Sequence, residues 1–333
     1  MTDHEPPVGA RSATIRSVAA RAGVSKSLVS LVLQGSPRVS ERRRQAVLDA
    51  MHDLGYRPDP VARSLAEGRS RTIGVVVEDL RNPWFIEVLD GLRPELHAHG
   101  LRPLLTERRT ESGAVQALRE LRVEGLVLVG ALSPDLAATT HGMPTVVAGS
   151  REPAPERVDV VAGDDEAGVQ LAVRHLLDLG HRRIAHVVGS GHVGQLRRLS
   201  FEAEMLAAGC TPVTATGDMT ESGGYTAARQ LMGASDRPTA LLAANDLSAV
   251  GALAAAEELG LRVPHDLSVV GYDNTSLARL RPIALTTVDN AGPAVGGAAA
   301  RALLRRMREP GTAATTTLLP PHLVIHNSTA RCP

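Results

Sequence analysis

From Thr72 onward, short runs rich in β-branched residues alternate with stretches of helical character. Candidate strands lie at residues 73–77, 126–129, 145–148, 184–188, 240–243 and 267–270, and helical stretches such as 169–179 and 248–259 lie between them. This alternation predicts parallel sheets with helices on both faces. Because there are too many units for one mononucleotide-binding half, we predict an α/β body of two similar, doubly wound subdomains with a cleft between them.

The length and composition fit two or three domains and a sizeable core. The chain has 333 residues, of which 43% are hydrophobic and only 2% aromatic, so the core is built from aliphatic side chains. The two cysteines, Cys210 and Cys332, are far apart, which excludes a disulfide framework and fits a reducing compartment. No signal peptide and no run near the ~18 apolar residues of a membrane span is present. We therefore expect a cytoplasmic protein without a membrane partner.

The charge of the chain is unevenly distributed, although the formal net charge is zero. Residues 1–72 contain 12 Lys and Arg against 7 Asp and Glu, whereas residues 73–333 contain 24 against 29. A basic head on an acidic body predicts that only the head meets a polyanion such as DNA.

The head shows the pattern of three short helices. Thr14 can cap the first helix and Ser25 the second, and Gly23 permits the turn between them. A third helix starts at Ser40 and ends at Gly55. The inward-facing stripes contain Ile15, Val18, Ala19 and Ala22, then Val29, Val32 and Leu33, then Val47, Ala50, Met51 and Leu54. This arrangement predicts an all-α helix-turn-helix head, and a small helical bundle without a nucleic-acid role is the alternative.

The residues of the first two helices also carry a family resemblance. The run TIRSVAARAGVSKSLVSLVL, residues 14–33, resembles the head of lactose-repressor (LacI) family regulators, and the resemblance continues through residues 38–40, 54–58 and 62–65. It implies that the helix starting at Ser25 lies in the DNA major groove, with Lys26 and Ser27 at base edges. The DNA-binding residues expected in the head are Thr14, Ser25, Lys26, Ser27, Leu28, Ser30 and Leu31.

Two leucines depart from the family pattern. The family often has arginine at the position of Leu31 and a small polar residue at that of Leu28. Both lie off the inward stripe of the second helix, so we expect them to point outward. They either complete the packing of the head or touch thymine methyl groups in the major groove.

Residues 58–71 have the composition of a linker, with two prolines, a short helix-capable stretch and Gly68. For a generic protein this is a solvated tether. In the resembling family the segment forms a hinge helix on the operator, and an apolar wedge between minor-groove base steps bends the DNA. The resemblance places Leu65 as the wedge, Ala62 at the close approach and Arg63 near phosphate. Asp59 stands where the family usually has asparagine, and we expect its negative charge to weaken a contact with phosphate.

The resemblance extends over the body. The motifs NPWF at 82–85, LGHRRI at 179–184, AND at 244–246, VGYD at 270–273 and LTTV at 285–288 resemble the family's sensor domain, which is similar to periplasmic sugar-binding proteins. Ligands in such folds bind beyond the carboxyl ends of the strands. The resemblance implies that the rings of Trp84 and Phe85 pack against the ligand. It also implies that Arg197 forms a hydrogen bond to the ligand and that Asn245 and Asp273 bind its hydroxyl groups. The expected effector-binding residues are Asp79, Trp84, Phe85, Arg197, Phe201, Asn245 and Asp273.

Each of these residues has a plainer interpretation. A lone tryptophan such as Trp84 is commonly a core residue, and the pair Arg197 and Arg198 is typical of a solvated helix face. Asp246 and Asp273 are also suited to capping helices.

A rival motif lies at Gly189, Gly191 and Gly194, which match the dinucleotide fingerprint G-x-G-x-x-G after a strand, with Asp218 as a candidate ribose ligand. Alone it predicts an NAD-sensing redox regulator. Such fingerprints usually open the first βαβ unit of a domain, whereas this one starts well inside the body. A sensor of purines or nucleosides that act as co-repressors is a further alternative.

The sequence as a whole predicts a homodimeric transcription repressor that binds a pseudo-palindromic double-stranded DNA operator and is controlled by a sugar effector. No catalytic, metal or cofactor site is expected, and a periplasmic binding protein is disfavoured by the basic head. We predict a disordered tail over 1–12, a helix-turn-helix domain over 13–57, a hinge over 58–71 and a sensor over 72–333. Within the sensor, one subdomain comprises 72–161 and 290–318, and the other comprises 162–289 and 319–333.

Overall fold

The computed structural model describes residues 13–33, 35–56, 69–108, 111–130, 140, 142–151 and 157–332. The chain divides into two compact units, Met1–Ser70 and Arg71–Pro333, which we call the head and the body. The predicted tail over 1–12 and the hinge residues Ala62, Arg63 and Leu65 lie outside the described residues. None of the helices in the described ranges has the length and apolar character needed to cross a membrane.

The head contains three helices, α1 (Ile15–Arg21), α2 (Lys26–Leu33) and α3 (Glu41–Asp53). Thr14 caps α1 as predicted, because its side chain accepts a hydrogen bond from the Ser17 amide. Gly23 has φ of +64°, which permits the turn into α2. The predicted inward stripes meet in one small core of Val18, Ala19, Val29, Val32, Val39, Val47 and Ala50.

The body begins with β1 (Thr72–Val77), α4 (Pro83–Ala98), β2 (Arg102–Glu107), α5 (Glu111–Glu120), β3 (Gly125–Val129), β4 (Thr145–Ala148) and β5 (Val158–Gly163). It continues through α6 (Asp165–Asp178), β6 (Ile184–Val188), α7 (Gly191–Ala207), β7 (Val213–Thr216), α8 (Glu221–Met232) and β8 (Ala240–Leu242). It ends with α9 (Asp246–Glu258), β9 (Ser268–Tyr272), β10 (Thr286–Asp289), α10 (Gly292–Arg308), β11 (Thr316–Leu319) and β12 (His322–Val324).

These elements form two six-stranded sheets, as predicted. The first has the order β11-β5-β4-β3-β1-β2 and all its strands are parallel. The second has the order β12-β10-β9-β8-β6-β7, and β12 is antiparallel to its neighbour β10. We call the parts built around these sheets the first and second subdomains. The chain passes between them after β5, after β10 and after β11.

Helices cover both faces of each sheet, which explains why the strands are apolar on both sides. In the first subdomain, α4 and α10 pack on one face around Ile73, Leu92 and Leu303, and α5 covers the other face. In the second, Val169 of α6 and Phe201 of α7 lie in one core, and α8 and α9 form the other. Strands predicted at 145–148 and 184–188 have those bounds in the structure.

Two glycines of the fingerprint, Gly189 and Gly194, have a packing function. A Cβ atom on Gly194, in the first turn of α7, would lie 2.0 Å from the carbonyl oxygen of Gly189. The close approach of α7 to the end of β6 therefore requires glycine. The fingerprint lies well inside the body, as predicted, although β6 is the first strand of the second sheet along the chain.

Candidate effector site

A cavity of about 410 Å³ lies in the body at the carboxyl ends of strands from both sheets. Its lining residues follow β1, β3 and β4 of the first sheet and β6, β7, β8, β9 and β10 of the second. This is the position at which doubly wound sheets bind ligands. Its volume is within the range of cavities that hold small molecules.

Aromatic and aliphatic side chains form apolar walls on opposite subdomains. Trp84 and Phe85 begin α4 of the first subdomain, and their ring centroids are 5.3 Å apart in an edge-on arrangement. Val193, Met219 and Leu247 line the cavity from the second subdomain. Trp84 is both a core residue and a cavity residue, so the two interpretations of it are compatible.

The position of Trp84 is fixed by two features. Its Nε1–H group donates to Oδ1 of Asn290 at 2.7 Å, so the polar atom of the indole is already bonded. Gly149 follows β4 with φ of +90°, and a Cβ atom there would lie 2.1 Å from the indole ring. The missing side chain at Gly149 therefore makes room for Trp84.

Arg197 is the centre of a buried charge cluster in the second subdomain. It is 5% exposed, which contradicts the interpretation of a solvated helix face. Its Nε group donates to Asp165 at 2.8 Å and its Nη1 group to the Ala244 carbonyl at 2.6 Å, while Nη2 lies 3.6 Å from Asp273. Its guanidinium also lies 3.6 Å from the centre of the Tyr272 ring, a cation–π contact.

These contacts shift the pKa values of both partners. Burial disfavours the charged guanidinium, but Asp165, Tyr272 and Asp273 outweigh it and raise the pKa of Arg197. Burial raises the pKa of Asp273 well above its ordinary value, against the attraction of Arg197. One cation thus serves two buried carboxylates, Asp165 and Asp273.

Asn290 joins the aromatic wall to the charge cluster. It accepts from Trp84 and donates through Nδ2 to Oδ1 of Asp273 at 2.8 Å. Asn290 lies where the chain passes from β10 into α10, so this chain of bonds connects the two subdomains. A second connection is the ion pair between Glu87 of α4 and Arg279, whose atoms are 3.3 Å apart.

Five of the seven effector-binding residues expected from the sequence line the cavity, namely Asp79, Trp84, Phe85, Arg197 and Asp273. Phe201 does not, because it lies about one turn beyond Arg197 along α7, where it is fully buried in the core against His186. Burial lowers the pKa of that histidine to about 4, so its ring is neutral.

Asn245 also lies outside the lining of the cavity. It is 1% exposed and caps α9, where its Oδ1 atom accepts from the Ser248 amide at 2.8 Å. Its Nδ2 group donates to the Met219 carbonyl at 3.1 Å. The side chain therefore holds the loop that carries Met219 instead of facing a ligand. The cap of α9 is therefore Asn245 and not Asp246, whose carboxylate accepts hydrogen bonds from Thr275 and Thr287 instead.

The sequence interpretation missed several lining residues. Asn290, Ser150 and Met219 were not among the expected effector residues, and Asp218 was considered only for NAD. Met219 and Asn290 follow β7 and β10, which were not among the candidate strands, whereas Ser150 follows the predicted strand β4 and its place after that strand was the signal. Across the described ranges, no group of three His, Cys, Asp or Glu side chains is placed to hold a metal ion.

In the head, the residues expected at DNA differ in exposure. Ser25, Lys26, Ser27 and Leu31 are exposed and Ser30 is half-buried. Leu28 was expected to point outward, but it is half-buried and packs against the head core. Leu31 is 37% exposed and is not among the residues of that core. The Ser25 hydroxyl accepts from the Leu28 amide at 3.2 Å, as a cap does.

A helix-turn-helix head and a two-sheet body with a cavity define a ligand-responsive DNA-binding regulator. Residues 14–59 match the model for bacterial regulatory proteins of the lacI family, and residues 173–329 match a periplasmic binding protein-like domain. The chain is 33% identical to the HTH-type transcriptional repressor PurR of Edwardsiella ictaluri, over 96% of this chain and 98% of the relative.

Solved structures agree with this assignment. A lac repressor dimer bound to operator and the anti-inducer ONPF matches with a TM-score of 0.86 and 30% identity, over 96% of this chain and all of that one. A complex of the regulator CelR with cellobiose matches with a TM-score of 0.73 and 30% identity, over 95% and 99% of the two chains. The chain belongs to the lacI family and is a DNA-binding transcription regulator.

Proposed function

We propose that this regulator represses transcription and that a carbohydrate bound in the cavity changes its affinity for operator DNA. The observation that carries the proposal is the cavity itself, in which the rings of Trp84 and Phe85 stand beside the polar groups of Asp79, Arg197 and Asp273. An apolar wall beside convergent polar groups suits a sugar, whose ring faces are apolar and whose edges carry hydroxyls. The CelR–cellobiose complex supports this ligand class by similarity.

The DNA contacts are proposed from the family resemblance and from exposure in the head. We place α2 in the major groove, with Lys26 and Ser27 at base edges and Ser25, Ser30 and Thr14 near the backbone. Two heads on a two-fold axis would read a pseudo-palindromic operator, as the dimeric lac repressor on its operator suggests. Ala62, Arg63 and Leu65 are proposed as the hinge that enters the minor groove.

The control mechanism is a population shift. The Trp84–Asn290–Asp273 bonds and the Glu87–Arg279 pair join the subdomains around the cavity. A ligand that contacts Trp84 and Asp273 together favours one arrangement of the subdomains, provided its affinity for the two arrangements differs. We propose binding rather than catalysis as the function of the cavity, because the relatives are repressors. Operator binding also places the protein with the chromosome, in the cytoplasm.

The effector proposal predicts a coupled change in stability and DNA binding. We expect one sugar or polyol to raise the thermal midpoint of the full chain and to change the anisotropy of a labelled operator in the same concentration range. Trp84→Leu should weaken that ligand roughly tenfold or more, because the stacking wall is lost. Purines, nucleosides and NAD complete the panel. A ligand response from NAD alone would overturn the carbohydrate proposal in favour of the dinucleotide alternative.

The two leucines of α2 provide a test of the DNA-reading surface. Leu31→Ala should weaken binding to a selected operator by about 1 kcal/mol, roughly fivefold, and leave the thermal stability of the head unchanged. Leu28→Ala is the matched control and should lower the stability of the head by about 1 kcal/mol, because Leu28 packs on its core. If Leu31→Ala leaves operator affinity unchanged, the side chain does not contact DNA.

A further inference from the structure

Acidic groups outnumber basic groups among the described residues that line the cavity. Glu78, Asp79, Asp218 and Asp273 face Arg81 and Arg197 there. Burial raises the pKa of Asp273, and even without this carboxyl group three acids stand against the two cations. The formal charge of the cavity wall is therefore not positive.

Both cations are already neutralised by neighbours. Arg81 pairs with Asp79 at 2.6 Å on the rim, where the Arg81 side chain is 79% exposed. Arg197 is shared between Asp165 and Asp273, whose side chains are each 6% exposed. An anionic ligand that approached Arg197 would meet these carboxylates at short range, in surroundings where water screens charge poorly.

Asp218 adds a negative charge to the cavity wall formed by the second subdomain. Its Oδ1 atom accepts from the amide of Thr220 at 2.7 Å and from its hydroxyl at 2.5 Å, and these bonds hold the carboxylate in place. Arg81 interacts with Asp218 electrostatically, although its ion pair within the described residues is with Asp79. The group is therefore suited to accept hydrogen bonds from ligand hydroxyls and to repel phosphate.

Helix starts at the cavity oppose this effect, because the first turn of a helix carries a partial positive charge of about half a unit. Four helices, α4, α7, α8 and α9, begin at the cavity. At α4 the Asn82 side chain already accepts from the Trp84 amide at 3.1 Å, and at α8 the Thr220 side chain accepts from the Gly223 amide at 3.1 Å. Glu221 and Asp246 in the first turns of α8 and α9 add negative charge there, so the caps and these acids offset part of the positive charge of the helix starts.

We infer that the effector is a polyhydroxylated molecule without a phosphate or carboxylate group, and that the charge of the cavity excludes the phosphorylated forms of the same molecules. The inference rests on the proposed function of the cavity as an effector site. It separates neutral sugars and nucleosides from the sugar phosphates and nucleotides made from them by kinases.

Matched pairs of ligands test this inference on the full chain by titration calorimetry. The pairs are glucose with glucose 6-phosphate, ribose with ribose 5-phosphate, cellobiose with its phosphate, and adenosine with AMP. The neutral member that binds best should bind roughly tenfold or more tightly than its phosphate. A phosphate that binds as tightly as its parent or more tightly overturns the inference and leaves the effector proposal standing. No binding by any member of the panel overturns both.

A charge-removing variant gives the second arm. Asp218→Asn keeps the size of the side chain and should raise the ratio of phosphate affinity to parent affinity roughly tenfold. Asp236→Asn is the control, since Asp236 is 78% exposed and pairs with Arg183 outside the cavity. An unchanged affinity ratio in Asp218→Asn, or an equal change in Asp236→Asn, would show that Asp218 does not exclude anions.

Discussion

Asp159→Asn is expected to lower the free energy of unfolding of the body by about 3–5 kcal/mol, because it removes one partner of a buried ion pair. Asp159 is fully buried on β5. Its carboxylate accepts a hydrogen bond from Nε of Arg306 at 2.9 Å and forms an ion pair with Nη2 of Arg305 at 3.1 Å. It also accepts from the amide of Thr315 at 2.7 Å. One carboxylate thus connects β5, α10 and the segment that leads into β11.

The pKa of Asp159 indicates how strongly the fold requires its charge. Burial alone raises this pKa, but the bonds from Arg306 and Thr315 outweigh burial and leave it below the ordinary value. An asparagine has the same shape but directs an uncharged amide at Arg306, which is 2% exposed and would keep its charge without a counter-ion.

Asp236→Asn is the matched control, because Asp236 and Arg183 form an ion pair of the same length, 2.9 Å, on the surface. Its loss should cost less than about 1 kcal/mol. Urea denaturation and thermal melts of the full chain measure both variants, and Asp159→Asn should lower the midpoint by roughly 10 °C. Equal effects of the two substitutions would contradict the structural importance of the buried pair.

Asp159 also shows why part of the fold could not be predicted from the sequence. The six predicted strands are runs of apolar residues buried on both faces, such as β3 and β4, and the two-sheet architecture follows from them. β5 is equally buried, but Asp159 interrupts its apolar run, and its charge is compensated by Arg305 and Arg306, which are far along the chain. β2 and β7 lie at sheet edges and carry polar, partly exposed residues, so their pattern resembles that of loops.

The residues of the candidate site could be predicted where the strands before them were predicted or where they belong to a family motif. Trp84, Arg197 and Asp273 follow predicted strands or carry family motifs, and all three line the cavity. Asn290 follows β10, which was not predicted. Its hydrogen bonds to both Trp84 and Asp273 therefore could not be predicted from the sequence. Phe201 lies four residues, about 6 Å of helix rise, beyond Arg197 on the same face of α7, which takes it past the cavity into the core.

Arg197→Met is expected to reduce effector affinity about 100-fold and to destabilise the body by several kcal/mol. Methionine fills a similar volume, but it leaves Asp165 and Asp273 buried without their cation and leaves the Ala244 carbonyl without its donor. Arg198→Met is the control on the same helix. Arg198 is not among the cavity-lining residues and pairs with Glu202 at the half-exposed surface, so this change should cost less than about 1 kcal/mol.

The pH dependence and a double variant separate the role of Arg197 in stability from its role in binding. Because the pKa of Asp273 is raised in the folded chain, its protonated form is favoured by folding, so the stability of Arg197→Met should rise as the pH falls below neutral. Adding Asp273→Asn should mimic that protonation and restore much of the thermal midpoint at neutral pH. Effector affinity should stay low in both variants, since the guanidinium that faces the ligand is absent. Recovery of effector binding together with stability would show that Arg197 only supports the fold and does not contact the effector.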